Sequence, residues 1–219
     1  MYFTTLFIML LASATGADKA PVELPHVEIR ETDTARIMSG AQFFAQHCQS
    51  CHSMVYLRYD ALSNEAGVKY GVTPQWPVDS WNGRPPPDLS LVGVTHRPEW
   101  LYGYLKGYYV VEDGYDNIVM PNTSMPNPYP GLQGNQILNM PMSEILKDQP
   151  RLYQALRLES SGSVPPHVFN EKVADVVTYL VYAADPSVIP RHQIGPYVLI
   201  FLLILSLAAF FLYQSYKTD

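Results

Sequence analysis

The sequence has little cysteine and no excess of basic residues. Two cysteines occur among 219 residues, so a structural zinc site, which normally needs four ligands, lacks a second Cys pair. Lysine and arginine number 14 against 20 aspartates and glutamates, and the net charge of −6 argues against nucleic acid as a partner. No alternation of apolar and polar residues is long enough to predict a sheet, and no internal repeat occurs.

Both cysteines lie in one pentad, Cys48-Gln-Ser-Cys51-His52. This C-x-x-C-H pattern is the signature of covalent haem attachment, in which each thiol forms a thioether and the histidine is placed to bind the iron. A redox dithiol or a disulfide also uses C-x-x-C, but a thioredoxin-like dithiol needs a βαβ context that the flanking sequence does not predict. The pentad therefore predicts one covalently bound haem c, with Cys48 and Cys51 as attachment points, His52 as axial ligand, and electron transfer as the reaction.

The second axial ligand is sought among the methionines that follow the pentad, because thioether ligation favours the reduced iron. Met54 lies two residues beyond His52 and cannot reach the opposite haem face. Met125 lies in a loop with proline on both sides, which limits the entropy lost when a flexible thioether is held in place. The sequence Met140-Pro141-Met142 is a similar loop and stays open as an alternative. The histidines outside the pentad are weaker candidates: His47, His96, His167 and His192.

Two apolar segments frame the chain. The first, Tyr2 to Ala14, is too short to span a membrane and ends in an A-x-A pattern, so it predicts a secretory signal over residues 1–17, with an uncleaved anchor as the alternative. The second, Ile194 to Tyr213, is twenty residues without a charge, which is the length of one bilayer crossing. The expected organisation is therefore a signal segment (1–17), a haem-binding domain (18–189), a transmembrane helix (194–213) and a short tail (214–219).

Short helices separated by long loops are expected between these segments. Ser39, with a glutamine three residues later, forms a capping box that predicts a helix leading into the pentad. Pro98 and Gly107 bound a second helix. Asn170 is expected to cap a third helix, whose apolar residues form one face and which ends at Pro186. These features favour a mainly α, class I cytochrome c-like domain with long loops, plus one C-terminal transmembrane helix.

These residues resemble cytochrome c1, the haem subunit of the cytochrome bc1 complex, over most of the chain after the signal segment. The resemblance rests on the pentad and its flanks, Arg58-Tyr59, Pro86-Pro-Asp-Leu-Ser90, Trp100-Leu-Tyr-Gly-Tyr-Leu105, Pro121-Asn-Thr-Ser-Met-Pro126, Gly131-Leu-Gln-Gly134, Tyr179-Leu-Val-Tyr182 and the C-terminal anchor. In bacterial members the axial methionine lies in a loop of the form P-N-x-x-M-P, so the resemblance implies Met125 as the sixth ligand. Arg84 and Pro85 stand where the family has small residues, and the family's propionate-binding arginine has no clear counterpart.

The resemblance implies an electron-transfer subunit of a ubiquinol–cytochrome c reductase. Electrons would pass from the Rieske iron–sulfur protein through the haem to a cytochrome c, with cytochrome b as a further partner, and catalysis would belong to the complex. The location implied is the bacterial inner (cytoplasmic) membrane, with a single pass and the haem domain on the periplasmic side. The alternative is a stand-alone membrane-anchored cytochrome c that donates electrons to a terminal oxidase. A gas-binding haem sensor is a third reading and would need an open sixth site.

Overall fold

A computed structural model describes residues 23–145 and 153–217, and in these ranges the chain is mainly helical, as the sequence predicts. The predicted signal segment (1–17) lies outside the described residues. The helices are α1 (Thr34–His47), α2 (Ala61–Glu65), α3 (Ser80–Gly83), α4 (Val92–Thr95), α5 (Pro98–Lys106), α6 (Pro130–Gln133), α7 (Met142–Ile145), α8 (Pro166–Ala184) and α9 (Val188–Lys217), with a 3₁₀ turn at Val55–Leu57. The strands are β1 (Tyr108–Val111), β2 (Gly114–Asn117), β3 (Gly134–Leu138) and β4 (Leu156–Ser161).

Helix α1 begins earlier than the capping box predicts. Its N-cap is Asp33, whose carboxylate accepts hydrogen bonds from the backbone N–H groups of Ala35 (3.1 Å) and Arg36 (3.2 Å). The prediction that Ser39 caps the helix is wrong, because Ser39 lies inside it and its hydroxyl donates to the Asp175 carboxylate of α8 at 2.8 Å. Ser39 therefore joins α1 to α8 and does not begin a helix.

The crossing of α1 and α8 is the centre of the core. Gly40 allows the two backbones to touch, since a methyl group at this position would collide with the carbonyl oxygen of Asp175. Arg36 pairs with Asp175 beside this contact at 3.2 Å. Fully buried apolar side chains from both helices fill the crossing: Ile37, Phe44, Val173, Val176 and Val177. The α1 end that carries the haem motif is therefore fixed against the longest helix of the soluble domain.

The bounds of α5 and α8 test the remaining helix predictions. Helix α5 starts at Pro98 and its C-cap is Gly107, as predicted. Helix α8 ends at Ala184, directly before the predicted stop, but it begins at Pro166. The expected cap at Asn170 is wrong, because proline at the first helical position already supplies a compatible backbone one turn earlier.

Two antiparallel hairpins correct the expectation that the domain has no sheet. Strands β1 and β2 pair with Val111 opposite Gly114, and β3 pairs with β4 across a register shift near Asn135. The first two residues of β1 are buried and the last two are exposed, so burial does not alternate along the strand. Strands of this kind give no period-two pattern in the sequence, which is why they were not predicted.

Helix α9 is long, apolar and exposed. It has 30 residues, a mean hydropathy of 2.5 over its most apolar window, and none of that window is buried against the protein. At about 1.5 Å per residue it exceeds the roughly 30 Å hydrocarbon core of a bilayer, so its ends extend beyond the predicted span of 194–213. Such a helix fits a single-pass membrane anchor.

Candidate cofactor site

The haem motif forms a tight turn at the C-terminal end of α1. Cys48 is the C-cap, and its N–H donates to the Phe44 carbonyl at 2.8 Å. The N–H groups of Cys51 and His52 then donate to the Cys48 carbonyl at 3.0 and 2.9 Å. This turn brings both thiols and the imidazole to the wall of one cavity.

That cavity has a volume of about 530 Å³, within the roughly 300–1,000 Å³ typical of ligand sites. Its walls are mainly apolar and aromatic, with contributions from α1, α5, α8, the loop before α4 and the loop after β2. Among the described residues that line it, Arg84 is the one permanent cation, and none is acidic. An apolar, flat-sided group with an anionic edge matches this lining.

His52 is oriented by a backbone oxygen. Its Nδ1 lies 2.8 Å from the carbonyl oxygen of Pro87, so we assign the Nδ1–H tautomer, which leaves the Nε2 lone pair available. The side chain is buried, and this burial lowers its pKa against the opposing effects of the Pro87 hydrogen bond and the nearby Asp88 charge. A neutral imidazole with one nitrogen held by a carbonyl is the usual arrangement of a metal-bound histidine.

Asp88 ties the P-P-D-L-S segment to the residues after the pentad. Its carboxylate accepts hydrogen bonds from the Ser53 hydroxyl (2.7 Å) and from the N–H groups of Val55 (2.9 Å) and Ser90 (3.0 Å). Partial burial raises its pKa, but the Ser90 and Ser53 side chains and the N–H groups of Val55 and Ser90 together outweigh that effect and keep the pKa below its usual value. The segment that supplies the Pro87 carbonyl is thereby fixed to the haem motif itself.

The methionine candidates lie in different places. Met125 and Met120 both line the cavity; Met125 is partly buried and packs against the main core, whereas Met120 is 44% exposed. Met54 is buried in the core outside the cavity wall. Met140 and Met142 are not among the lining residues, and Met142 packs against a separate small apolar cluster. The cavity thus brings Met125, together with Met120, to the same space as Cys48, Cys51 and His52.

The other histidines divide between the cavity and the surface. His47 lines the cavity and packs on Phe43 with ring centroids 4.5 Å apart; burial, and secondarily the charge of Lys172, lower its pKa. His96 lies at the cavity wall against Trp100, at 4.3 Å. His167 and His192 are exposed and are not among the lining residues.

Sequence reasoning did not identify two tryptophans beside the motif. The Trp76 indole N–H donates to the Cys51 carbonyl at 3.0 Å, and Trp81 packs edge-on against Trp76. Trp81 and Asn82 have left-handed backbones, with φ of 55° and 57°, followed by Gly83 at 74°. This unusual turn brings Trp81 and Arg84 to the cavity; the only sequence signal for it is the Asn-Gly pair.

The competing readings of the two cysteines fit the structure poorly. Burial, and secondarily the proximity of Cys51, raise the pKa of the Cys48 thiol to about 12, whereas a redox dithiol needs a lowered pKa. The two cysteines are not joined by a disulfide. Across residues 23–145 and 153–217, no group of three or more His, Cys, Asp or Glu side chains is arranged to hold a metal ion.

Comparison of the sequence with known proteins identifies the family. The model of the Cytochrome C1 family matches residues 78–219. The chain is 31% identical to cytochrome c1 of Allochromatium vinosum, over 97% of this chain and 96% of that one. It is also 25% identical to the ammonia monooxygenase gamma subunit of Nitrosomonas europaea, over 99% and 97% of the two chains. The chain therefore belongs to the cytochrome c1 family, as a haem-binding, electron-transfer subunit whose C-terminal helix fits a membrane anchor.

Proposed function

We propose that this chain carries one covalent haem c as the cytochrome c1 subunit of a ubiquinol–cytochrome c reductase. Cys48 and Cys51 attach the haem, and His52 and Met125 bind the iron from opposite sides. The observation that supports this most is the shared cavity, because Met125 is distant in the sequence yet lines the same 530 Å³ space as the pentad.

The residues of the cavity fit such a group. When bound, a haem c supplies a one-electron carrier, and the protein supplies its ligands, orientation and surroundings. His52 keeps Nδ1 on Pro87 and offers Nε2. The apolar walls exclude water, so a net charge inside the cavity is poorly solvated. They therefore favour the oxidation state of the haem iron that carries the smaller net charge.

Arg84 is the residue we assign to the acidic edge of the haem. It lines the cavity, and the part of the chain that the structure describes offers its guanidinium no hydrogen-bond or ion-pair partner. The propionates of a haem are two carboxylates, and a planar guanidinium binds carboxylates with two parallel hydrogen bonds. This assignment supplies the propionate partner that the sequence alone could not identify.

The anchor keeps the haem domain (18–189) at a membrane surface. Only Asp185, Pro186 and Ser187 separate α8 from α9, and Asp185 pairs with Arg191 across this junction at 2.7 Å. The predicted N-terminal export signal orients the domain to the periplasmic side of the bacterial inner membrane, with the tail (214–219) inside. The haem would then face partners at that surface.

The partners we propose are cytochrome b, the Rieske iron–sulfur protein as electron donor, and a cytochrome c as acceptor. The net charge of −6 suits long-range attraction of a basic acceptor. Purification of the full-length chain from membranes in mild detergent tests this proposal. We expect cytochrome b and an iron–sulfur protein in the same particle, and quinol-dependent reduction of cytochrome c by it.

The alternative, a stand-alone cytochrome that feeds a terminal oxidase, predicts a haem protein without these subunits. Recovery of the chain alone, or with an oxidase, would overturn the reductase proposal. Because one relative bears the name of an ammonia monooxygenase subunit, the preparation should also be analysed for further subunits of such an enzyme.

The haem itself is tested separately. We expect a pyridine haemochrome spectrum of the c type and a haem-stained band on a denaturing gel. Cys48→Ala and Cys51→Ala should each weaken that band, whereas Ser50→Ala, between them in the pentad, should retain it. An unstained wild-type band would contradict covalent attachment.

A further inference from the structure

A column of aromatic rings runs along α5, and its first three members, His96, Trp100 and Tyr104, line the cavity. His96, Trp100, Tyr104 and Tyr108 recur at intervals of four residues and contact one another in order. Trp100 and Tyr104 are stacked, with centroids 5.2 Å apart and planes within 5°. Aromatic rings without hydroxyl groups would be enough for this packing. The hydroxyl groups of Tyr104 and Tyr108 therefore need another explanation.

Those hydroxyl groups form a chain directed towards the Met125 loop. The Tyr108 hydroxyl donates to the Tyr104 hydroxyl at 3.2 Å, and the Tyr104 hydroxyl shares a hydrogen bond with the Thr123 hydroxyl at 2.8 Å. Thr123 in turn accepts a long hydrogen bond from the Met125 N–H at 3.4 Å. The chain therefore runs from the buried start of β1 to the backbone of Met125.

Burial holds the two tyrosine hydroxyl groups of this chain in place. Tyr108 is 1% exposed and Tyr104 is 9% exposed. Burial, then the proximity of Tyr104, raise the pKa of Tyr108 far above its usual value, so it remains a donor. A buried hydroxyl without a partner is costly, which holds Tyr104 in one position.

Elsewhere the Met125 loop is held near its two ends, where the Asn122 N–H also donates to the Asp116 carboxylate at 2.8 Å. The Asn117 side chain accepts from the N–H groups of Val119 and Met120, and the Tyr129 hydroxyl donates to the Leu105 carbonyl at 2.6 Å. Pro121, Pro126 and Pro128 have no N–H to donate. Between Thr123 and Met125, within the described residues, the contact from Tyr104 is the one hydrogen bond that reaches the loop from outside it.

We infer that Tyr104, held by Tyr108, is a positioning residue for the Met125 thioether and acts through Thr123. This inference rests on the proposed role of Met125 as axial ligand. Methionine has a flexible side chain, so a thioether keeps its place only if its backbone is held. Loss of the Tyr104–Thr123 hydrogen bond should free the loop and let an external ligand compete at the sixth position.

The test compares Tyr104→Phe with wild type in the full-length, haem-loaded protein. Imidazole binding to the oxidised haem is titrated, and the far-red absorption of a thioether-bound ferric haem is recorded. We expect haem content to be unchanged and imidazole affinity to rise about tenfold, which equals about 1.4 kcal/mol and matches the loss of one hydrogen bond. Tyr102→Phe is the matched control, because its hydroxyl contacts Lys106 on the same helix and its ring does not line the cavity.

Thr123→Val and Thr123→Ser provide a second, independent measurement, which also decides the matter if Tyr104→Phe does not fold. Thr123→Val should reproduce the tenfold change, Thr123→Ser should restore wild-type affinity, and the Tyr104→Phe, Thr123→Val double variant should show no further increase. If Met125→Leu raises imidazole affinity but Tyr104→Phe and Thr123→Val behave as Tyr102→Phe, the positioning role is wrong and the ligand assignment stands. If Met125→Leu has no effect, the ligand assignment itself is wrong.

Discussion

The Nδ1 atom of His52 lies 2.8 Å from the carbonyl oxygen of Pro87, although the two residues belong to different loops. Asp88, the next residue, holds the second loop against Ser53, the residue after His52. The C-x-x-C-H pentad and the P-P-D-L-S segment are therefore one structural unit, in which the second segment orients His52, the proposed proximal ligand.

Asp88→Ala should weaken this unit. The substitution removes the acceptor of three hydrogen bonds, so we expect the domain to lose about 1–2 kcal/mol in the free energy of unfolding. Denaturant titration of the haem-loaded protein measures the loss. Asp79→Ala is the control, because the Asp79 side chain makes no capping hydrogen bond in the same loop; an equal loss in both variants would contradict the special role of Asp88.

The same carboxylate predicts a pH dependence. Its pKa is lower in the folded protein than its usual value of 3.8, so its stabilising contribution is complete above that value and is lost as the pH falls through the folded-state pKa. The stability difference between wild type and Asp88→Ala should therefore be constant near neutral pH and shrink below about pH 4. A difference that stays constant down to the acid limit of folding would show that the Asp88 charge is not responsible.

Met125→Leu should lower the redox potential while haem attachment is retained. Loss of a thioether ligand destabilises the reduced iron, and because axial ligands set haem potentials over roughly 0.8 V, we expect a fall on the order of 0.1 V or more. Spectroelectrochemical titration measures it. Met120→Leu is the closest control because it lines the same cavity, and Met140→Leu tests the loop that the sequence left open. A large fall in either control, with Met125→Leu unchanged, would move the sixth ligand to that residue.

Arg84→Gln should also lower the potential, by tens of millivolts. A cation beside the haem stabilises the reduced form, which carries one more negative charge, and because Arg84 is exposed the effect should shrink at high salt. Arg84→Lys should preserve most of the potential, and Arg97→Gln, an exposed arginine outside the cavity lining, should leave it unchanged. Equal effects of Arg84→Gln and Arg97→Gln would indicate a general charge effect and contradict the propionate contact.

Gly40→Ala should destabilise the domain strongly. The added methyl group meets the backbone of Asp175, which cannot move without separating α1 from α8, so a loss of about 3 kcal/mol or more is expected, at the upper end for overpacking. Thermal unfolding followed by haem absorption measures it. Gly131→Ala, with no heavy atom near the added carbon, should change the stability little; if the two variants unfold alike, the close crossing is not a determinant of stability.

The parts of the fold that the sequence predicted are those set by local chemistry. Pro98 and Gly107 bound α5 because proline and glycine act through their own backbones. The predicted helix caps at Ser39 and Asn170 were wrong. Such side chains form caps only where the backbone leaves the helix, and here both residues lie inside a helix. The hairpins were not predicted because their strands are short and do not alternate in burial: β1 is buried at one end, and β4 is exposed along most of its length.

The sequence by itself determined the class of cofactor and the apolar anchor and predicted the proximal histidine, because each depends on neighbouring residues or on an uninterrupted run. Only the tertiary structure decided what surrounds them. Arg84, Tyr104 and Thr123 come from segments far from the pentad, and no spacing rule connects them to it. Packing of α1 and α5 against α8 closes the cavity and brings these side chains together, because a site built from several loops exists only once the core that holds them has formed.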